Sequence, residues 1–281
     1  MTLRLADISA RIEGIRQLGA VVNAMRGIAA ARARQARTQL GAVDNFAAVI
    51  ATGIGRALVL MPSDPAPMTT KPGPALVVFA AEQGFAGAFS ERVFDFVGPE
   101  LHKSPLFLVG SRGGAVLAER GRTPDWSHSL PSHSAGIPKL ADQISQAIYP
   151  RIASGEIERL DVVFAQAEPG ALAQVQRRSL LPLDVVKLAH PGHSNPPLLN
   201  LAPSVLLAGL TADYIHAELC HAALHAFAAE NEARMQAMAA ARDQIVRQLA
   251  TLSAKERQVR QEEITAEVIE LAAGASASAA A

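Results

Sequence analysis

The chain has a single cysteine, Cys220, in 281 residues, so no internal disulfide can form and no cysteine-based zinc ribbon can be built. A reducing compartment suits such a chain, and the cytoplasm is the expected location. Aromatic residues are scarce at 4%, with one Trp and two Tyr, although hydrophobic residues reach 49%. The apolar mass is therefore mostly Ala, Leu, Val and Ile, a mixture that favours long, closely packed helices. Net charge is absent as well, because Lys+Arg 26 balances Asp+Glu 26. The chain as a whole thus lacks the electrostatic footprint of a nucleic-acid binder or a membrane-surface coat. Its most apolar window, 47–61, is interrupted by Arg56 and falls short of the ~20 residues that cross a bilayer. The start, MTLRLADISARIEG, has no apolar run of the kind a signal peptide needs. No export and no direct membrane insertion are expected, and any membrane association should run through partners.

Proline is missing from two long stretches, and that absence organises the chain. Up to Leu60 there is none, and Ile8, Ile12, Ile15, Val22, Met25 and Ala29 recur at spacings of three, four and seven. This is one narrow helical stripe. Gly14, Gly19 and Gly27 sit inside it, each at a cost of up to ~1 kcal/mol against Ala, for which close helix packing is expected to compensate. Pro62, Pro65, Pro67, Pro72 and Pro74 then mark a linker.

Beyond the linker the apolar runs 75–81, 106–109 and 160–165 read as buried strands, with helices expected at 90–101, 114–120 and 139–153. Alternation of the two predicts an α/β unit with a mainly parallel sheet. An extended segment over 175–188 and prolines at 182, 191, 196, 197 and 203 close it. From Ser204 onward proline is again absent, and Met238, Ile245, Leu252 and Val259 follow at intervals of seven, with Leu249 between them. This is a coiled-coil seam. About seventy helical residues would run ~100 Å, and a rod of that length needs something to lie against. The economical arrangement is an α/β fold in which the N-terminal helix (1–61) and the C-terminal helix and tail (204–281) form a long antiparallel two-helix coil. A linker (62–74) and an inserted Rossmann-like domain (75–203) lie between them in sequence. The GASASAAA tail is expected to fray. Charge is uneven along this layout: residues 1–40 hold seven Arg against Asp7 and Glu13, a local excess of +5 suited to acidic partner surfaces.

Catalytic chemistry finds little purchase. No G-x-x-x-x-G-K-[ST] loop occurs, and the cluster Gly110-Ser111-Arg112-Gly113-Gly114 lacks the lysine and spacing that hold a triphosphate. The turn Gly84-Phe85-Ala86-Gly87-Ala88-Phe89 follows the first strand, where a dinucleotide loop would lie, without the G-x-G-x-x-G order. It stands either as a tight strand-to-helix turn or as a cofactor-binding site. His221 and His225, at i and i+4 with His216 and Cys220 nearby, could clasp a metal or simply line an interface, and no H-E-x-x-H glutamate accompanies them. Ser111 and Ser179 have no assignable His/Asp partners. Met25, Met235 and Met238 suit packing better than ligation. Neither a cofactor nor a metal is therefore assigned.

Four segments carry a resemblance. Arg11-Ile12-Glu13-Gly14-Ile15 and Ala24-Met25-Arg26-Gly27-Ile28-Ala29-Ala30-Ala31-Arg32 follow an R-I-x-S-[VI] start and an A-M-x-M-V-A-A-[SA]-[KR] segment. The stretch 81–90 follows S-D-R-G-L-C-G-G-[FL]-N with two glycines kept and the Asp-Arg pair lost. Arg260-Gln261-Glu262-Glu263-Ile264-Thr265-Ala266-Glu267-Val268-Ile269-Glu270-Leu271-Ala272-Ala273-Gly274-Ala275 matches R-Q-x-x-I-T-x-E-[LI]-x-E-I-x-x-G-A. By these motifs and its helix–insert–helix layout the chain resembles the gamma subunits, the central rotor shafts, of F-type rotary ATP synthases. Leu18-Gly19-Ala20-Val21-Val22 in place of T-x-K-I-T, and Arg32 in place of the usual lysine, mark a divergent branch.

The resemblance implies a non-catalytic shaft inside a hexamer of alpha and beta subunits, with the epsilon subunit and the membrane c-ring as further partners and no nucleic acid. Its place would be peripheral, at the cytoplasmic face of the plasma membrane. By motif position, Arg260 and Gln261 would meet acidic loops of beta, and Met25 and Arg26 the beta lever region. Ile264 and Thr265 would turn within an apolar sleeve. The coupling ion, H+ or Na+, would be bound by another subunit. Two alternatives remain on the residues alone: a small-molecule enzyme using the Gly84 turn, and a passive coiled-coil scaffold with Arg260 as a solvated flanking charge.

Overall fold

The computed structural model describes residues 5–60, 74–166, 173–184 and 199–279. The linker prolines 62–72, the loop prolines 191, 196 and 197, and the end of the predicted extended segment lie outside these residues. Two compact units emerge, one formed by 5–28 with 235–279 and the other by 29–234.

The first unit is a two-helix antiparallel coil. Its strands come from α1 (Leu5–Leu58) and α6 (Pro203–Ala279), each a single uninterrupted helix because neither contains an internal proline. Val22, Met238 and Ile245 form the buried seam, flanked by Ile15, Met25, Ala237, Ala241 and Leu249. Ile8 and Ile12 are buried farther along α1. Ser9 Oγ donates to Glu256 Oε1 at 2.7 Å, which sets the antiparallel register. Leu252 and Val259, the later members of the heptad, are half-buried. Only one of the three glycines has the predicted compensation: a Cβ on Gly19 would lie 3.4 Å from Ile245, whereas nothing approaches within 4 Å at Gly14 or Gly27. The low-complexity tail, expected to fray, continues the α6 helix to Ala279.

In the second unit the strands are β1 (Ala75–Phe79), β2 (Leu106–Val109), β3 (Trp126–His128), β4 (Leu160–Gln166) and β5 (Gln174–Leu181). They lie in the order β3-β2-β1-β4-β5, parallel except for β5, which runs antiparallel to β4. Helices α2 (Phe89–Val97), α3 (Glu100–Lys103), α4 (Ser111–Glu119) and α5 (Ile137–Ala153) connect them. The predicted strands are continuous apolar runs because both faces are covered. Val77, Phe79, Phe107, Val162 and Phe164 pack on α5 and on Leu219, Ala223 and Phe227 of α6. Leu76, Val78, Leu106, Leu108 and Val163 pack on α2 and α4.

The single helix expected over 90–101 is two. Gly98 takes φ +61°, its amide donates to Phe94 O at 3.0 Å, and Pro99 then opens α3. Strand β3 was not anticipated, since Trp-Ser-His carries no apolar run and is only partly buried.

Candidate functional site

The sequence-selected residues all lie in the coil unit, at two levels. Met25 is half-buried against the Val22–Met238–Ile245 cluster, and Arg26 beside it is exposed. Arg260, Gln261, Ile264 and Thr265 occupy consecutive turns of α6 and are all exposed. Met238 and Arg260 are separated on α6 by about 33 Å of helix at ~1.5 Å per residue, so the structure brings the last four together and keeps Met25 and Arg26 apart from them. Thr265 Oγ1 donates to Gln261 O at 2.8 Å, an in-helix bond that leaves its methyl outward.

From Gln261 to Ala273 every residue is exposed. Within that stretch Ile264, Val268, Ile269 and Leu271 are 55%, 59%, 62% and 73% accessible. Covering such a side chain fully is worth about 1.5–3 kcal/mol. A second exposed set lies on α1: Leu18, Val21 and Ile28 recur around Met25 at helical spacing and are each more than half accessible. They were missed by following the seam stripe alone, although they share its period.

At the carboxyl ends of the parallel strands, where doubly wound folds hold their ligands, the chain's own carboxylates take several of the loop amides. The Glu82 carboxylate accepts from Ser111 N and Ser111 Oγ at 2.9 Å each and from Leu130 N at 2.8 Å. It therefore takes the anion position at the start of α4. The Glu82 and Gln83 amides donate to the two carboxylate oxygens of Glu230 at 3.0 Å each. Arg234 pairs with Glu230 and donates to Gly84 O at 3.1 Å and Gln83 O at 3.3 Å. The glycine cluster serves packing: a Cβ on Gly110 or Gly113 would lie 2.5 or 2.3 Å from Ala80. The Gly84 turn makes the strand-to-helix connection, and a cavity of about 440 Å³ lined by Gln83, Gly84, Phe85, Ala86, Ser90 and Arg112 lies beside it. Glu230 and Arg234 were not singled out in the sequence, because their partners are some 150 positions away.

His221 is buried and His225 half-buried on α6, against β4 and α1. His221 and His225 place their Nε2 atoms 3.1 Å apart, Asp44 Oδ1 lies 3.3 Å from His221 Nε2, and Phe164 packs on both rings. Desolvation, then the proximity of His225 and Arg178, lowers the His221 pKa to about 3; desolvation and Arg178 lower that of His225 to about 4. Both rings are neutral packing groups at neutral pH. Among the described residues no group of three or more His, Cys, Asp or Glu is placed to hold a metal ion. Burial pushes the Cys220 thiol up to about 12, leaving it unreactive. Ser111 Oγ is bound to Glu82 and Ser179 Oγ donates to Leu181 O, so neither meets a histidine base. No helix among the described residues is long and apolar enough to cross a membrane.

Comparison with known proteins adds three observations. A family model described as ATP synthase matches residues 4–277. The ATP synthase gamma chain of Frankia casuarinae is 26% identical, over 99% of this chain and 98% of the relative, and that of Parafrankia sp. is 28% identical over the same shares. In solved structures, a chain of the Euglena gracilis mitochondrial ATP synthase (OSCP/F1/c-ring, rotational state 3) superposes with a TM-score of 0.67 at 15% identity, covering 97% of this chain and 94% of that one. A chain of the Tetrahymena thermophila central stalk and c-ring gives 0.55 at 18% identity, covering 79% and 99%.

Proposed function

The chain belongs to the ATP synthase family, and we propose that it serves there as the gamma subunit, the rotor shaft that couples ion-driven rotation of the membrane ring to ATP synthesis or hydrolysis. The single observation that carries this reading is the run of uncovered apolar positions on α6 beyond the coil seam, in a chain otherwise matched from end to end by the family. A helix that exposes Ile264, Val268, Ile269 and Leu271 among the described residues suits an apolar sleeve made by other subunits, in which few directional bonds resist turning.

In this reading the helices within 1–61 and 204–281 form the shaft, and the α/β unit of 75–203 is the body mounted on it. The shaft turns inside an alpha/beta hexamer, and the insert and lower helices meet the epsilon subunit and the c-ring. Because the rod is asymmetric, each orientation favours a different nucleotide-affinity state at each beta subunit, a population shift driven by differential contacts. The exposed guanidinium of Arg260 is suited to hold a carboxylate bidentately, and Gln261 adds a neutral hydrogen-bonding group beside it. Arg26 and the apolar set around Met25 supply the second contact level. The shaft contributes no catalytic group, and it works peripherally at the cytoplasmic face of the membrane. Glu230 and Glu82 already occupy the Glu82, Gln83 and Ser111 amides that a bound anion would use, which favours the rotor over the small-molecule enzyme.

Reconstitution with alpha and beta subunits tests the proposal. One copy per hexamer with recovery of ATPase is the expected result; a stable homodimer that ignores alpha and beta would overturn it.

A further inference from the structure

Within the second unit, α6 rests on the sheet through a surface of small side chains. Ala222, Ala223, Ala226, Ala228 and Ala229 are buried there among the larger Ile215, Leu219, Leu224 and Phe227. Contact of this kind resists separation because it removes apolar area from water, but it is non-directional. The ion pairs Arg178–Glu218 at 3.3 Å and His216–Asp142 at 3.2 Å also reach α6, each through one partner that is well exposed. Such pairs hold position weakly.

Glu230 and Arg234 differ in kind. Their side chains are 3% and 6% accessible. One helical turn apart, they grip both polarities of the same loop backbone: Glu230 accepts from the amides of Glu82 and Gln83, and Arg234 donates to the carbonyls of Gln83 and Gly84. Arg234 is itself held by Asn231 Oδ1 at 3.2 Å, and Asn231 by Phe227 O at 2.8 Å. The gripped loop passes its restraint onward, because the Glu82 side chain binds Ser111 and Leu130 and so joins the ends of β1, β2 and β3. Immediately after it Phe85 sits at φ +62°, a conformation a bulky residue keeps only when its surroundings over-determine it.

We infer that Glu230 and Arg234 form a register lock that carries shear load between α6 and the α/β insert, a role that rests on the rotor reading above. Charge-assisted hydrogen bonds from nearly buried side chains depend on both distance and angle. They therefore add directional resistance to rotation and sliding, which non-directional apolar contact does not supply. A shaft that delivers torque to a body mounted on it needs such a joint, and a grip on backbone rather than side chains makes it independent of the loop's own sequence.

Two measurements on the same variants test the lock. Hydrogen exchange on the full-length chain follows the Glu82 and Gln83 amides, and ion pumping by the complete synthase in sealed vesicles follows coupling with and without an opposing gradient. Glu230→Gln is expected to speed exchange at those amides by about tenfold or more, as befits loss of a charge-assisted bond. Pumping should be lost at gradients the unaltered complex sustains, while ATP hydrolysis without a gradient is retained. Arg234→Lys provides a second variant should Glu230→Gln not fold. Ile148→Val, which loosens the same core away from the lock, should leave loaded pumping intact. Unchanged exchange would overturn the lock itself, and faster exchange with pumping retained under load would overturn its mechanical role. A synthase that fails to pump even with the unaltered chain would instead overturn the rotor reading, and the exchange data keep the two failures apart.

Discussion

The coil and the α/β unit obey the same hydrophobic effect with opposite geometry. Around the sheet, helices cover both faces, so Phe79, Phe107 and Phe164 are fully buried and a strand has no outer apolar face left over. In the coil only one seam closes. Val22, Met238 and Ile245 lie in it, while Leu18, Val21, Ile264 and Val268 remain outside on the same two helices. A two-layer unit completes itself within its own chain; a pair of helices buries one stripe each and leaves the remaining circumference to others. The contrast separates the part built to be rigid from the part built to be enclosed.

Four experiments would break or sharpen that contrast. Phe164→Ala should have the largest effect, destabilising the α/β unit by about 3–5 kcal/mol in denaturant titrations, because it empties a closed core. Acid comes next. Since His221 and His225 titrate at about 3 and 4 in the fold against an ordinary 6.5, the unfolded chain binds protons that the folded one refuses. Stability of this unit should therefore fall as pH drops from 6.5 towards 3. Hydrogen exchange resolved by region would show the coil lacking that slope, and His225→Gln should flatten it.

Ile245→Ala should cost the coil about 2 kcal/mol, the low end for such a truncation, because an open seam relaxes more readily than a closed core. Smallest is the glycine pair: Gly14→Ala should stabilise the coil by about 0.5–1 kcal/mol, and Gly19→Ala by less, as its new methyl meets Ile245. Thermal melting of the two variants decides the order. Beside these, Arg260→Ala with Gln261→Ala should move stability by no more than about 0.5 kcal/mol, both positions being exposed. It should nonetheless weaken turnover or coupling in the reconstituted complex; unaltered turnover would remove both residues from the contact.

Much of the fold was legible in periodicity. The absence of proline from 5–60 and from 204 onward predicted two long helices, and three apolar runs predicted the central strands. Strand β3 was not legible, since three residues of mixed polarity at a sheet edge carry no pattern. The break at Gly98–Pro99 was written in the sequence and yielded to an otherwise amphipathic run. Of the proposed contact surface, the exposed α6 stretch could be located by motif. The α1 set of Leu18, Val21 and Ile28 could not be told from a second core stripe until the seam was seen.

Local sequence by itself determined where the long helices and the central strands form, that no internal disulfide exists, and that no known phosphate loop is present, because these depend on composition and on neighbours a few positions apart. Tertiary structure alone decided which helical stripe faces inward, which glycine meets a neighbour, and that Glu82, Glu230 and Arg234 bind the loops above the sheet. Those outcomes turn on pairs far apart in sequence, from Arg234 and Gln83 at 151 positions to the still more distant Gly19 and Ile245, and contact depends on distance and angle in space, on which separation along the chain has no bearing.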